Sequence, residues 1–177
     1  MHMRTTLLGL AATAALLTMP VTASAQVITL RAQLHGGNEN PAVVSGAHGN
    51  ATVVIDRTAG TIQYTVNVYN LPTGVVASHI HVGSAQVNGP VILDFRVVSG
   101  TSNDFQISGT LTAADLRANA QFGINSFEDA IFASASGVSY VNVHSQANAG
   151  GEIRGQLCPE SAAANTYNAV AVCTATK

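Results

Sequence analysis

Thr61-Ile-Gln-Tyr-Thr-Val-Asn-Val-Tyr-Asn70 is the stretch on which the fold class turns. Ile62, Tyr64, Val66 and Val68 fall on one side of a period-two pattern, with Gln63, Thr65, Asn67 and Tyr69 on the other. Successive side chains of extended backbone point to opposite faces, so this alternation predicts a strand with one buried face. Just upstream, Asp56-Arg-Thr-Ala-Gly60 reads as a hairpin turn with its glycine placed for positive φ. Residues 51–56 supply the strand before that turn. Residues 27–34 alternate in the same way, with Ile28, Leu30, Ala32 and Leu34 opposite Thr29, Arg31 and Gln33. Further strands are expected at 75–82, 91–97, 104–110, 138–144 and 152–157. Short strands in this number, separated by turn signals, predict an all-β fold, an antiparallel Greek-key sandwich.

Two short helical insertions interrupt the pattern. Thr112-Ala-Ala-Asp115 has a capping-type start for a turn running to about residue 119. Ser126-Phe-Glu-Asp129 opens a second helix, expected to run to about residue 136. Glu128 and Asp129 suit the positive end of the helix dipole, and Gly137 suits its stop.

The two ends of the chain read differently from the middle. Residues 1–25 have the layout of a secretory signal peptide: one basic residue, an apolar run over 5–17, and Ala23-Ser24-Ala25 as a small-x-small cleavage site. The apolar run is too short to span a bilayer, which takes about 20 residues. Residues 26–157 then form one domain, and 158–177 a C-terminal tail rich in Ala, Thr and Asn. Cys158 and Cys173 are the chain's two cysteines, and in an exported protein a disulfide is the expected state. Without Arg4, six Lys+Arg face nine Asp+Glu, a net charge of −3. Sparse charge and the lack of a basic patch argue against a nucleic-acid partner. No membrane span is expected in the mature chain.

Chemistry concentrates in the histidines. In His79-Ile80-His81 the two rings share one face of a strand, and His144 lies in a second strand, Tyr140-Val-Asn-Val-His-Ser145. Three neutral imidazoles suit copper or zinc. The same spacing also fits a polar strand face meeting water. His35 and His48 flank the loop over 36–47 and read as loop residues, His35 being the reserve ligand. Arg154 alternates with Glu152 and Gln156 on what reads as the exposed side of the last strand. Asp94 and Glu39 form no evident carboxylate pair, and no Gly-x-Ser-x-Gly or phosphate-cradling loop is present.

Several blocks, in order, resemble the CHRD domain, the repeat of chordin and of many secreted bacterial proteins. They are Leu34-His-Gly-Gly-Asn-Glu-Asn-Pro41, Gly49-Asn-Ala-Thr-Val-Val-Ile-Asp56, Ala77-Ser-His-Ile-His-Val-Gly83, Asn88-Gly-Pro90, Ile107-Ser-Gly-Thr-Leu111, Tyr140-Val-Asn-Val-His-Ser145 and Gly150-Gly-Glu-Ile-Arg-Gly-Gln-Leu157. The first block departs from the usual Val-Pro-Pro-like ending, and the tail lies outside the likeness. What the family implies about function is thin. A looser likeness, of arrangement only, is to the copper-zinc superoxide dismutases, which are also β-sandwiches. It implies copper ligation by His79, His81 and His144, and anion steering by Arg154. The dismutases' bridging and zinc-binding loop has no counterpart between Gly83 and Asp104. Three functional classes stay open: a module binding copper, or less favourably zinc; a non-catalytic interaction domain with an unknown protein partner; and a dismutase-like enzyme.

Overall fold

The structure, a computed structural model, describes residues 27–160 and Cys173. The expected signal peptide, and most of the expected tail, lie outside the described residues. Among the described residues nine strands make up the sheet: β1 (Val27–His35), β2 (His48–Asp56), β3 (Thr61–Leu71), β4 (Val75–Val82), β5 (Val91–Phe95), β6 (Asn103–Leu111), β7 (Ser139–Ser145), β8 (Ile153–Gln156) and the two-residue β9 (Cys158–Pro159). Their order is β5-β4-β7-β8-β1-β2-β3-β6, with β9 on β1, and every pairing is antiparallel. The all-β antiparallel class is therefore as expected. The strands form one hydrogen-bonded path whose ends, β5 and β6, come together, so the sheet nearly closes into a barrel. Tyr64 of β3 helps close it, stacking on Phe95 of β5 with ring centroids 4.2 Å apart.

The alternation read from the sequence is the burial pattern of the first three strands. Ile28, Leu30, Ala32 and Leu34 of β1 face inward against Ala51, Val53 and Ile55 of β2 and Ile62, Tyr64, Val66 and Val68 of β3. Ile80, Leu93, Val141, Val143 and Ile153 continue the same core across the other strands. Each such aliphatic side chain contributes about 1.5–3 kcal/mol on burial, and together they offset the entropy of ordering the chain. Gly60 adopts φ +64°, the left-handed conformation the β2–β3 turn requires.

Differences from the sequence reading are local. β2 begins at His48, because His48 and Gly49 already pair with both β1 and β3. β5 ends at Phe95, where the next amide, Arg96 N–H, donates to the Tyr64 hydroxyl at 3.1 Å. Thr112 and Asp115 form a full capping box on a three-residue 3-10 turn (Ala113–Asp115). A second 3-10 turn (Ala120–Phe122), capped by Asn119, was not expected. The α-helix α1 (Phe127–Ala135) starts from the expected Ser126–Asp129 capping box and buries Ala130, Ile131, Ala133 and Ala135. Cys158 and Cys173 are joined in the expected disulfide.

Candidate metal centre

His79 and His81 sit on β4, and β4 pairs with β7 so that His79 is opposite Asn142 and His81 opposite Tyr140. His144 lies two residues beyond Asn142, hence on the same face. Register alone thus gathers the three rings, and one ligating nitrogen from each lies within 4.8 Å of the others. Ring centroids are 4.9 Å apart for His79 and His144, 5.4 Å for His79 and His81, and 5.9 Å for His81 and His144.

The hydrogen bonds around the rings fix which nitrogens are free. His81 Nδ1–H donates to the Gly89 carbonyl at 2.9 Å, and His144 Nδ1–H to the Ala149 carbonyl at 3.0 Å. Nε2 of both rings therefore keeps a lone pair. His79 Nε2 lies 3.1 Å from Asp94 Oδ1, and the Asp94 carboxylate also takes Arg117. A carboxylate held by arginine accepts only, so this contact suits a hydrogen on His79 Nε2, which leaves the lone pair on Nδ1. With that tautomer His79 Nδ1 faces His144 Nε2 at 3.1 Å, lone pair to lone pair; with the hydrogen on Nδ1 the same contact is a hydrogen bond between the rings. His81 Nε2 is buried with no hydrogen-bond partner. A cation at their centre would satisfy all three at once, and the outward bonds are of the kind that orient imidazoles when they hold a metal.

Protons compete weakly for this position. Burial, then the neighbouring His144 and His81, push His79 down to about 4. Burial lowers His81 and His144 as well, against the bonds to Gly89 and Ala149. At neutral pH all three rings are uncharged, the form a metal takes.

The alternative of a histidine face meeting water is not what the fold builds. His81 and His144 are each 8% exposed, and the His79 side chain 16%. β7 is buried along its whole length, on both faces. Val141 and Val143 face the core, while Tyr140, Asn142 and His144 face a polar layer roofed by the loops over 36–47 and 83–90. Asn40 Nδ2 donates to the Gln86 carbonyl and Asn88 Nδ2 to the Asn40 carbonyl, locking the two loops together.

That roof corrects the reading of the last strand. Arg154 and Glu152, expected on an exposed side, are 4% and 1% exposed. Strand periodicity assigns faces but carries no sign of a loop folding back over one of them. Arg154 Nε donates to the Asn38 carbonyl at 2.6 Å, and Nη1 to Asn88 Oδ1 at 2.9 Å. Its guanidinium lies 4.8 Å over the Tyr140 ring, which in turn stacks on His81 at 4.9 Å and 9°. Arg154 thus acts as a buried tie between the two loops, and its position does not fit steering from solvent. Glu152 accepts from Ser45, Ser145 and Asn148, joining the first loop to the turn after β7. His35 is exposed at the end of β1 and is not among the gathered rings, so it is no reserve ligand for them.

Sequence reading missed three contributors. Asp94 orients His79, and only the register that places it opposite His79 reveals this. Gly89 gives its carbonyl to His81 and its amide to the Tyr140 hydroxyl, at 3.2 Å. Glu39 is 6% exposed and 3.9 Å from Arg154; burial, opposed by Arg154, raises its carboxyl to about 7.

A family model described as the CHRD domain matches residues 30–157, and the chain belongs to that family. Neither the curated proteins nor the solved structures give a match.

Proposed function

We propose that this CHRD-domain protein is an exported metal-binding module whose His79, His81 and His144 hold a single transition-metal ion, copper in preference to zinc. The observation that carries the reading is the gathering of the three rings, one nitrogen of each within 4.8 Å of the others, while His81 and His144 commit Nδ1 to carbonyls and His79 Nε2 lies beside Asp94. Incidental histidines on a strand do not need that arrangement. Copper is favoured because the gathered group, among the described residues, has no fourth protein ligand. Structural zinc sites are almost always closed by four, whereas copper binds most tightly of the divalent series. Storage or carriage fits better than turnover, since the rings lie under the loops and, among the described residues, no bridging histidine accompanies them. Export rests on the leader-like residues 1–25, with 26–157 as the mature domain and 158–177 as its tail.

The test is metal analysis of the purified, untagged protein after incubation with copper or zinc and removal of unbound ion. One tightly held copper per chain, with a visible absorption band, is expected, and His81→Ala should lose it. Equal tight loading by wild type and His81→Ala overturns the reading. Superoxide consumption by the copper form, absent in His144→Ala, would replace the binding module with the enzyme.

A further inference from the structure

Of the histidines outside the centre, His35 and His48 stand opposite each other in the sheet. His35 closes β1 and His48 opens β2, and the two are direct partners in the β1–β2 register. Both are exposed, on the outer face of the sheet. Side chains on this face do touch across the same strand pair, since Arg31 Nη1 donates to Thr52 Oγ1. Directly opposed residues of an antiparallel pair hold their β-carbons about 4.5–5.5 Å apart. Two imidazoles so held can both reach one ion at the ordinary nitrogen–metal distance of about 2.0–2.1 Å.

His48 is already set for this. Its Nδ1–H donates to the Gly46 carbonyl at 3.2 Å, which leaves Nε2 as the free lone pair. On its other side the Tyr69 ring, its partner in β3, lies 5.4 Å away at 31°. The pair lies in line with the buried centre. Successive register partners run His48, His35, Arg154, Asn142 and His79, so His35 and His79 are three strand spacings apart, about 14 Å. Arg154, a buried cation between them, keeps the two places separate.

We propose that His35 and His48 form a second, solvent-facing metal site, taking a divalent ion of the imidazole-binding class (copper(II), nickel(II) or zinc) with water completing its shell. Two nitrogens and no carboxylate at these register positions exclude calcium and magnesium, which take oxygen ligands. With two protein ligands in water, the site is weaker than the buried one.

Equilibrium dialysis of the untagged full chain against copper(II) tests this. Wild type should take up two ions in a tight and a weak phase. His35→Gln and His48→Ala should each lose the weak ion alone, dropping to one per chain. His81→Ala should lose the tight ion and keep the weak one. Both substituted side chains are exposed, and thermal melts matching wild type verify that the variants are folded. Wild type saturating at one ion, or a weak phase untouched in both His35→Gln and His48→Ala, overturns the proposal. Neither result bears on the buried centre, which stands or falls on the tight phase.

Discussion

Asp94 shows how much a single side chain outside the ligand set can matter. Its carboxylate lies 3.1 Å from His79 Nε2, where it would orient the ring of a metal ligand, and an outer-shell partner of this kind is worth about 10–100-fold in metal affinity. Asp94→Ala should therefore weaken copper binding by about that factor in a competition titration, with little change in folding, since the residue lies near the surface. Asp94→Asn, which can still accept through its amide oxygen, should fall between the two. Affinity unchanged in Asp94→Ala would mean that the metal does not use His79. Glu39 makes a different prediction. Its carboxyl, raised to about 7 chiefly by burial, is protonated in the folded chain at pH values where the unfolded chain has lost that proton. The folded state therefore binds more protons between about 4.5 and 7, and the contribution of this group to stability falls as pH rises through that window. Each pH unit across it is worth at most about 1.4 kcal/mol. Glu39→Gln, which mimics the protonated acid, should match wild type near pH 5 and exceed it in thermal midpoint near pH 8. A constant difference at both pH values would show that Glu39 does not titrate there.

At the level of elements, the strands were legible because a half-buried strand writes its two faces into alternate residues. Ile62, Tyr64, Val66 and Val68 needed only that rule. The shared face of His79 and His81 followed from the same rule, and the part played by His144 followed once β4 and β7 paired. Burial of that face was not legible. It depends on Asn40, Asn88 and Arg154 tying two loops across it, and such contacts leave no periodic trace. The turn at Ala120–Phe122 escaped for a related reason, being too short to show any period. Gly89 is where the second loop meets the centre. A β-carbon there would lie 1.5 Å from the Val82 carbonyl oxygen, so the backbone can pass only without one. Gly89→Ala must move the loop and with it the carbonyl that holds His81. A cost of about 1–3 kcal/mol is expected from chemical denaturation, together with weaker copper binding. Gly37→Ala, with open space at its β-carbon, is the control and should leave both unchanged.

At the scale of the whole molecule, the proposed metal site joins strands that are distant in sequence, so binding there would be linked to global unfolding. An ion held only by the folded chain adds about 2.7 kcal/mol at a hundred times its dissociation constant. For a domain of this size that raises the thermal midpoint by roughly 5–10 °C. Calorimetry with and without copper measures it, and a copper-independent midpoint in wild type would count against a site built from both β4 and β7.

One consequence follows from β7 being enclosed on both sides. Most sheet strands keep every other position for water, and there a change of residue passes almost unnoticed. Here Val141 and Val143 answer to the oily interior, and Tyr140, Asn142 and His144 to the polar layer beneath the lid. The strand is left with no spare residue. Whatever variation the domain tolerates falls more easily on the water-facing side chains of β1, β2, β3 and β6, His35 and His48 apart, than on Ser139–Ser145.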